Sequence, residues 1–351
     1  MSDKFKVALS GDFRRPDGSP SYPDFDLTPL TSDPRIELTY VDPVDGVMPA
    51  AALAEQDAVI LLVPRFDQRS IPASGRLALV ARFGVGYDSV DVPACTQNAI
   101  GLAITPDGVR RPVAVSIVTF LLALTGKLFT KDRLTRQGPQ GWAQRADHMG
   151  VGLVGRTFGQ LGIGNIGAET IRLLRPFEMK LIAHDPFVSP AQAQDLGVEL
   201  VGLEDLFRRS DVLSISVPLS ETTHHLVGRE LLGLMKPTAY LINTARGPVV
   251  DQKALYEALA SRRIAGAGLD VFELEPTPAD EPILALDNVI LAPHSLCWTD
   301  QCFAGIGRSD VNAVLALMRG ETPPTLVNGK ALEADPRWQG RLAAYAARFG
   351  S

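Results

Sequence analysis

Between residues 157 and 291 the chain alternates short apolar runs with longer amphipathic segments, and this alternation restricts the fold more than any other feature. Strands that alternate with helices at this spacing form a parallel sheet with helices on both of its faces. We therefore predict an α/β fold here. The predicted strands are Thr157–Leu161, Met179–Ala183, Val212–Val217, Ala239–Ile242, Ala267–Asp270 and Val289–Leu291, and the predicted helices are Ile166–Leu174, Leu203–Arg208, Glu230–Met235 and Lys253–Arg262.

A shorter series of the same kind precedes it. Its predicted strands are Phe5–Ser10, Ile36–Val41, Ala58–Val63, Leu77–Phe83 and Ala99–Thr105. We expect a turn at 106–108 and a long apolar helix over Val113–Leu128, then a polar arm, and after residue 300 a helix over Cys302–Met318 and an amphipathic extension from 330. With 351 residues, the chain exceeds the about 250–300 at which single cores stop growing, so two domains are expected.

Composition narrows the classes of function. A net charge of −6 and a pI near 5.5 argue against nucleic-acid binding, which needs an excess of Lys and Arg. The most apolar run, 112–126, is shorter than the about 20 residues that a bilayer requires, and the N-terminus lacks the pattern of a signal peptide. Three cysteines cannot all pair, which favours a reducing compartment. We expect a cytoplasmic protein with no membrane partner.

A dinucleotide site is predicted at residues 162–167, which read G-x-G-x-x-G after an apolar strand and at the start of a helix. In this setting Gly162 makes the tight turn, Gly164 lets a pyrophosphate approach the backbone, and Gly167 permits close packing of helix and strand. Asp185 lies at the end of the next strand, where a carboxylate binds the ribose hydroxyls and repels a 2′-phosphate. The predicted cofactor is therefore NAD rather than NADP.

Three later strand ends carry Arg246, Glu275 and His294. Ligands of open α/β sheets bind at this edge. An arginine can fork onto a substrate carboxylate, a histidine can exchange a hydroxyl proton near neutral pH, and a carboxylate can orient that histidine. These residue types suit the interconversion of a ketone and an alcohol.

The chain resembles the D-isomer-specific 2-hydroxyacid dehydrogenase family over about residues 81–328, in the motifs 81–91, 162–167, 216–228, 231–251 and 268–276. The resemblance implies that Arg246, Glu275 and His294 are catalytic. It implies a substrate-carboxylate site at Val85, Gly86 and Arg246, and closure of the domains over the substrate. It also implies a homodimer. The implied cofactor-binding residues are Gly162, Gly164, Asn165, Ile166, Gly167, Asp185, Val217, Thr244, Ala245 and Asp270, with Asp270 beside the nicotinamide.

The resemblance also implies two Rossmann-like domains, with the cofactor domain inserted into a discontinuous substrate domain. We place the substrate domain at 1–106 and 301–328, the NAD-binding domain at 107–300 and an extension at 329–351. The implied reaction is hydride transfer between nicotinamide and C2 of a D-2-hydroxy or 2-keto acid. The substrate is left open among phosphoglycerate-like, glycerate-like and sugar-acid-like molecules, because several arginines lie near segments that can rim the site.

Several residues admit a second interpretation. Glu273 competes with Glu275, but spacing favours Glu275. His224 and His225 are adjacent and diverge, so we interpret them as solvent-facing or cofactor-edge residues, and we expect no metal. Ala114-Val115-Ser116 and the Ser-Leu-Cys-Trp run after His294 depart from the family pattern near the site. Some relatives of this fold act as corepressors, so an NAD(H)-sensing regulatory protein is the alternative function.

Overall fold

The computed structural model describes residues 4–350, which divide into two compact units. Unit 1 contains the residues up to 109 and those from 298 onward, and unit 2 contains residues 110–297. The domain boundaries inferred above from the sequence, at 106 and 300 with a separate extension at 329–351, stay predictions.

Twelve strands and fourteen α-helices follow one another along the described chain. The strands are β1 (Phe5–Ser10), β2 (Ile36–Val41), β3 (Ala58–Leu61), β4 (Leu79–Arg82), β5 (Gly101–Ala103), β6 (Thr157–Leu161), β7 (Lys180–His184), β8 (Glu199–Leu200), β9 (Val212–Ile215), β10 (Tyr240–Asn243), β11 (Gly266–Leu269) and β12 (Val289–Leu291). The helices are α1 (Thr28–Thr31), α2 (Ala50–Leu53), α3 (Val92–Gln97), α4 (Pro106–Thr125), α5 (Leu128–Arg136), α6 (Pro139–Ala143), α7 (Asn165–Leu174), α8 (Pro190–Leu196), α9 (Leu203–Arg209), α10 (Arg229–Leu234), α11 (Gln252–Ala260), α12 (Asp300–Met318), α13 (Gly329–Glu333) and α14 (Pro336–Phe349).

Each unit is built on one parallel sheet, as expected for an α/β fold. Unit 1 has five strands in the order β2-β1-β3-β4-β5. Unit 2 has seven strands in the order β12-β11-β10-β9-β6-β7-β8. In both orders the chain starts at an inner strand and later reverses direction across the sheet. The carboxyl ends on either side of such a reversal form the usual ligand-binding edge of an open α/β sheet.

The sheet of unit 2 is covered on both faces. Along β10, Leu241 packs into one apolar cluster while Tyr240 and Ile242 pack into another. The first cluster includes side chains of α9, α10 and α11, and the second includes side chains of α4 and α7. Strands that are buried on both faces have apolar residues at successive positions, and this pattern made them predictable from the sequence.

The long apolar helix differs from its sequence-based prediction. Helix α4 starts at Pro106, where we expected a turn, and ends at Thr125 instead of residue 128. Proline is tolerated at the first position of a helix, because no intrahelical acceptor awaits its missing N–H there. Gly108 is required for packing and not for a turn: a Cβ atom at this position would lie 2.5 Å from the backbone nitrogen of Ile306.

Helix α4 is the one described helix that is long and apolar enough to cross a membrane by length and composition. More than half of its apolar window is buried inside the protein. Ile117, Phe120, Leu121 and Leu124 lie in the core of unit 2. Its packing is therefore that of a core helix.

The C-terminal extension packs within unit 1. Trp338, Leu342, Tyr345 and Phe349 are buried along one face of α14. The Tyr345 hydroxyl donates a hydrogen bond to Asp57 Oδ1 at 3.0 Å, and its ring lies edge-on to that of Phe5. Helix α14 is thus part of the core of unit 1.

Candidate active site

The glycine loop of unit 2 has the local geometry that a dinucleotide needs. Gly162 follows β6 with φ +85°, and a Cβ atom there would lie 2.7 Å from the Val217 side chain. Gly167 lies in the first turn of α7, where a Cβ atom would lie 2.1 Å from the Gly162 carbonyl oxygen. These two glycines therefore permit the turn and the close approach of helix to strand.

Gly164 serves a different purpose. It precedes α7 as the N-cap residue, and no side chain caps the helix. A Cβ atom at Gly164 would meet no protein atom within 4 Å, so packing inside the protein does not require glycine here. The open backbone and the positive end of the helix dipole fit the pyrophosphate of NAD.

Asp185 lies beside this loop, directly after β7. Its Oδ2 accepts a hydrogen bond of 2.9 Å from the Ile163 N–H, and its Oδ1 accepts one of 2.9 Å from the Phe187 N–H. The fold therefore brings together the loop and the acid that the sequence spacing connected.

The segment after β10 carries three of the residues singled out from the sequence. The Asn243 side chain holds this segment: its Oδ1 accepts from the Ala245 N–H at 3.0 Å and its Nδ2 donates to the Arg246 carbonyl at 3.0 Å. Arg246 Nη1 donates to the Ala245 carbonyl at 2.7 Å. The Thr244 hydroxyl is buried and has no hydrogen-bond partner among the described residues. A buried polar atom of this kind suits a contact with a bound cofactor.

His294 and Glu275 form a hydrogen-bonded pair. His294 Nδ1 lies 2.8 Å from Glu275 Oε2, while Glu275 Oε1 accepts from the Phe272 N–H at 2.9 Å. Partial burial disfavours ionisation of Glu275, but the hydrogen bond and charge of His294, helped by Phe272 and Arg246, hold the pKa of Glu275 below its ordinary value. Because Nδ1 is engaged, Nε2 is the ring nitrogen of His294 that remains for proton exchange.

The backbone of His294 adopts φ +52°, which is uncommon for a residue other than glycine. Asp270, which directly follows the neighbouring strand β11, holds this conformation. Its carboxylate accepts hydrogen bonds from the N–H groups of Ser295 at 2.9 Å and Leu296 at 3.1 Å. Burial raises the pKa of Asp270, against the opposing effect of these two N–H groups. This contact could not be predicted from the sequence, because it depends on the path of a loop.

Glu273 and His225 form a second pair of the same kind. His225 Nε2 lies 2.7 Å from Glu273 Oε1. The rings of His224 and His225 do not diverge as we expected, but stack with centroids 4.0 Å apart. Glu273 and Glu275 therefore point to different histidines. The spacing of the two glutamates favoured Glu275, but it did not indicate that His225 is the partner of Glu273.

In unit 1, Val85 and Gly86 follow the end of β4. The preceding residue, Gly84, adopts φ +132° and exchanges two 3.0 Å hydrogen bonds with Thr105, one to its hydroxyl and one from its N–H. Among the described residues no acceptor faces the N–H groups of Val85 or Gly86. A turn whose N–H groups remain available suits an anion such as a carboxylate.

Two parallel α/β units, with a glycine loop, an adjacent acid and a His–Glu pair at strand ends, define the class of nicotinamide-dependent dehydrogenases. The family model described as "D-isomer specific 2-hydroxyacid dehydrogenase, NAD binding domain" matches residues 118–295. The chain is 40% identical over 282 residues to a glyoxylate reductase of Korarchaeum cryptofilum, which covers 80% of this chain and 85% of that protein. The chain belongs to the D-isomer-specific 2-hydroxyacid dehydrogenase family.

Solved structures of dehydrogenases of this kind are also similar to this chain in fold. A glyoxylate reductase from Paecilomyes thermophila matches with a TM-score of 0.80 and 25% identity, over 93% of this chain and 99% of that one. A D-lactate dehydrogenase from Aquifex aeolicus, complexed with NAD and lactic acid, matches with a TM-score of 0.78 and 27% identity, over 92% and 98%. The protein is an NAD-dependent enzyme that interconverts 2-hydroxy and 2-keto acids. Its relatives give no support to the regulatory alternative.

Proposed function

We propose that this enzyme reduces a 2-keto acid to a D-2-hydroxy acid, and reverses the reaction, with His294 as the acid–base group, Glu275 as its orienting partner and Arg246 as the substrate clamp. The single observation that carries the proposal is the 2.8 Å contact between His294 Nδ1 and Glu275 Oε2. This contact orients the ring and leaves Nε2 for the substrate oxygen.

Each residue then has one task. NAD, when bound, accepts or supplies the hydride at C2 of the substrate. His294 Nε2 gives a proton to the carbonyl oxygen during reduction and takes it back from the hydroxyl during oxidation. Arg246 binds the substrate carboxylate and polarises the carbonyl, and the backbone N–H groups of Val85 and Gly86 bind the same carboxylate.

The roles of the cofactor-binding residues are assigned from the family resemblance and from the geometry of the glycine loop. The N–H groups of Asn165 and Ile166 hold the pyrophosphate, Gly164 lets it approach the backbone, and Gly162 and Gly167 shape the loop. Asp185 accepts hydrogen bonds from the adenosine ribose. Val217, Thr244, Ala245 and Asp270 line the rest of the cofactor site, and the buried, unpartnered Thr244 hydroxyl supports this assignment.

The chain offers a matched control for the acid–base assignment, since His225–Glu273 has nearly the same geometry as His294–Glu275. We expect His294→Ala to lower kcat by at least about 100-fold, in line with the loss of a general acid–base group. We expect Glu275→Gln to lower it less. His225→Ala and Glu273→Gln should stay within about 3-fold of wild type, because a surface ion pair contributes little.

The measurement is NADH oxidation at saturating 2-keto acid, with the dissociation constant of NADH determined separately by fluorescence. The result that overturns the proposal is an His294→Ala enzyme that retains turnover within a few-fold of wild type. An equal loss in the His225→Ala enzyme would show that general disturbance, and not proton transfer, is being measured.

We further propose a cytoplasmic homodimer that associates through unit 2. Exposed large apolar side chains concentrate between residues 115 and 154 of this unit, and they are Val115, Leu122, Leu128, Phe129, Trp142, Met149 and Val154. A concentration of exposed apolar side chains in one segment favours association with a second copy. Sedimentation of Phe129→Glu/Met149→Glu should show a monomer where wild type is a dimer. A wild-type monomer at micromolar concentration contradicts the proposal.

A further inference from the structure

Unit 1 contains a cluster of six aromatic rings, here called the aromatic cluster. Tyr22 stacks on Phe303 with centroids 4.4 Å apart, and Trp298 lies edge-on to Tyr22 at 5.6 Å. Phe83 joins them through Phe303 at 5.6 Å. The full set is Phe13, Tyr22, Phe25, Phe83, Trp298 and Phe303.

The aromatic cluster lies at the carboxyl edge of the five-stranded sheet. Phe13 ends a single turn that follows β1 directly, and Phe83 follows β4 and precedes Gly84. Ligands of open parallel sheets bind at this edge. The cluster is therefore next in sequence and in space to the turn that carries Val85 and Gly86.

The aromatic cluster is not wholly core. Its phenylalanines are 7% exposed or less, but Trp298 is 45% exposed and Tyr22 is half-buried. The other exposed large apolar residues described in unit 1 are Val44, Val63 and Tyr87, which follow the carboxyl ends of β2, β3 and β4. The exposed large apolar side chains described in unit 1 thus follow the carboxyl ends of its strands or belong to the aromatic cluster, which suits contact with an apolar group.

The charged groups nearby do not favour a second anion on the substrate. Asp12 is near enough to Tyr22 to raise the pKa of its hydroxyl, after burial as the larger cause. The Asp12 carboxylate accepts a hydrogen bond from the Val63 N–H at 2.8 Å. Arg14 is engaged with Asp42 at 2.9 Å. A phosphate beside Tyr22 would meet aromatic surface and a carboxylate.

We infer that Tyr22 and Trp298 bind the substituent on C2 of the 2-keto acid, and that the preferred substrates carry a branched-alkyl or aromatic group there. This inference rests on the proposed function, because it needs the carboxylate to bind at Val85 and Gly86. Apolar contact with the rings removes water from both surfaces, which favours a large apolar group over hydrogen or a methyl group.

The experiment compares kcat/KM for glyoxylate, pyruvate, 4-methyl-2-oxopentanoate and phenylpyruvate, with NADH saturating. For the wild-type enzyme we expect the value for phenylpyruvate or 4-methyl-2-oxopentanoate to exceed that for glyoxylate by about 10-fold or more, the size of effect that apolar pockets produce.

The variants are Trp298→Ala and Tyr22→Leu. The control is Leu284→Ala, at an exposed apolar residue of unit 2 outside the proposed association surface. Trp298→Ala should lower kcat/KM for phenylpyruvate about 10-fold while changing that for glyoxylate less than about 3-fold, because only the large group reaches the ring. The readout is the ratio of kcat/KM for phenylpyruvate to kcat/KM for glyoxylate. A general loss of folding or association does not alter this ratio. Trp298→Phe retains an aromatic surface and should recover most of the ratio.

The outcomes separate the two proposals. Reduction of none of these acids would overturn the proposed function. Good reduction of glyoxylate, with no preference for larger acids and an unchanged ratio in Trp298→Ala, would overturn this inference and leave the proposed function standing.

Discussion

The carboxylate of Asp270 accepts a 2.9 Å hydrogen bond from the backbone N–H of Ser295, the residue that follows His294. A second N–H, from Leu296, binds the same carboxylate. The end of β11 therefore fixes the loop that carries His294, while Glu275 fixes its ring. Backbone and side chain of one histidine are held by two different acids.

We predict that Asp270→Ala lowers kcat by about 100-fold, because a displacement of about 1 Å at a reacting group costs this much. Stopped-flow measurement of hydride transfer with NADH and a 2-keto acid checks it. If Asp270 acted only by contacting the nicotinamide, the dissociation constant of NADH would rise while the hydride-transfer rate at saturating NADH stayed near wild type.

Asp185 is expected to set the preference for NADH. Removing its carboxylate in Asp185→Ser should lower the ratio of kcat/KM for NADH to that for NADPH by about 10-fold or more, since hydrogen bonds to a charged group contribute about 1.5–3 kcal/mol. The ratio is measured with one keto acid and both cofactors. Asp185→Asn keeps the size and serves as the intermediate case; an unchanged ratio in both would reject this role.

The burial of Trp338 predicts that the C-terminal helix α14 is part of the folding unit. Trp338 is 1% exposed, so Trp338→Ala should lower the free energy of unfolding by about 3–5 kcal/mol. Urea titration followed by circular dichroism measures the change. The neighbouring Arg337→Ala breaks only a surface ion pair with Asp335 and should cost less than about 1 kcal/mol. Equal effects of the two would show that α14 is peripheral.

Asp310 predicts a pH dependence of stability. This residue of α12 is fully buried, neither carboxyl oxygen has a hydrogen-bond partner among the described residues, and burial holds its pKa well above the ordinary value despite the charge of Arg82. As pH rises above the unfolded pKa of about 3.9, the unfolded state loses the proton first, so native stability falls until the folded pKa is passed.

Asp310→Asn removes this titration, so its stability relative to wild type should be greater at pH 8 than at pH 5. Unfolding in urea at both pH values provides the test. A difference between the two proteins that is independent of pH would contradict the assignment of a neutral, buried Asp310.

Much of the fold followed from the sequence because buried parallel strands are continuous apolar runs. The bounds of β1, β2, β6 and β12 agree with those expected. The spacing between Asp185 and the glycine loop also predicted that the two lie together, and the Ile163 N–H donates a hydrogen bond to Asp185. Errors arose where a residue serves a distant partner: Gly108 suggested a turn, but it permits the approach of Ile306, which is far away in sequence.

The contacts around His294 could be predicted only in part. The order of Arg246, Glu275 and His294 at strand ends indicated that they lie at one edge of the sheet. The pairing of Glu273 with His225 and of Asp270 with Ser295 depends on loop conformations, which carry no periodic signal in the sequence. Helices α5 and α6 were missed because few apolar residues mark their faces.

A substitution at Gly164 can remove cofactor binding without disturbing the fold, whereas most active-site substitutions change both. Since a Cβ atom at this position meets no protein atom within 4 Å and its φ of −64° is ordinary, a methyl group there leaves the polypeptide undisturbed. The same methyl group would occupy the space that the pyrophosphate needs. Gly164→Ala should therefore yield a fully folded protein that does not bind NADH. Its spectra, stability and association in the presence of NADH then provide the background that is subtracted from those of the wild type.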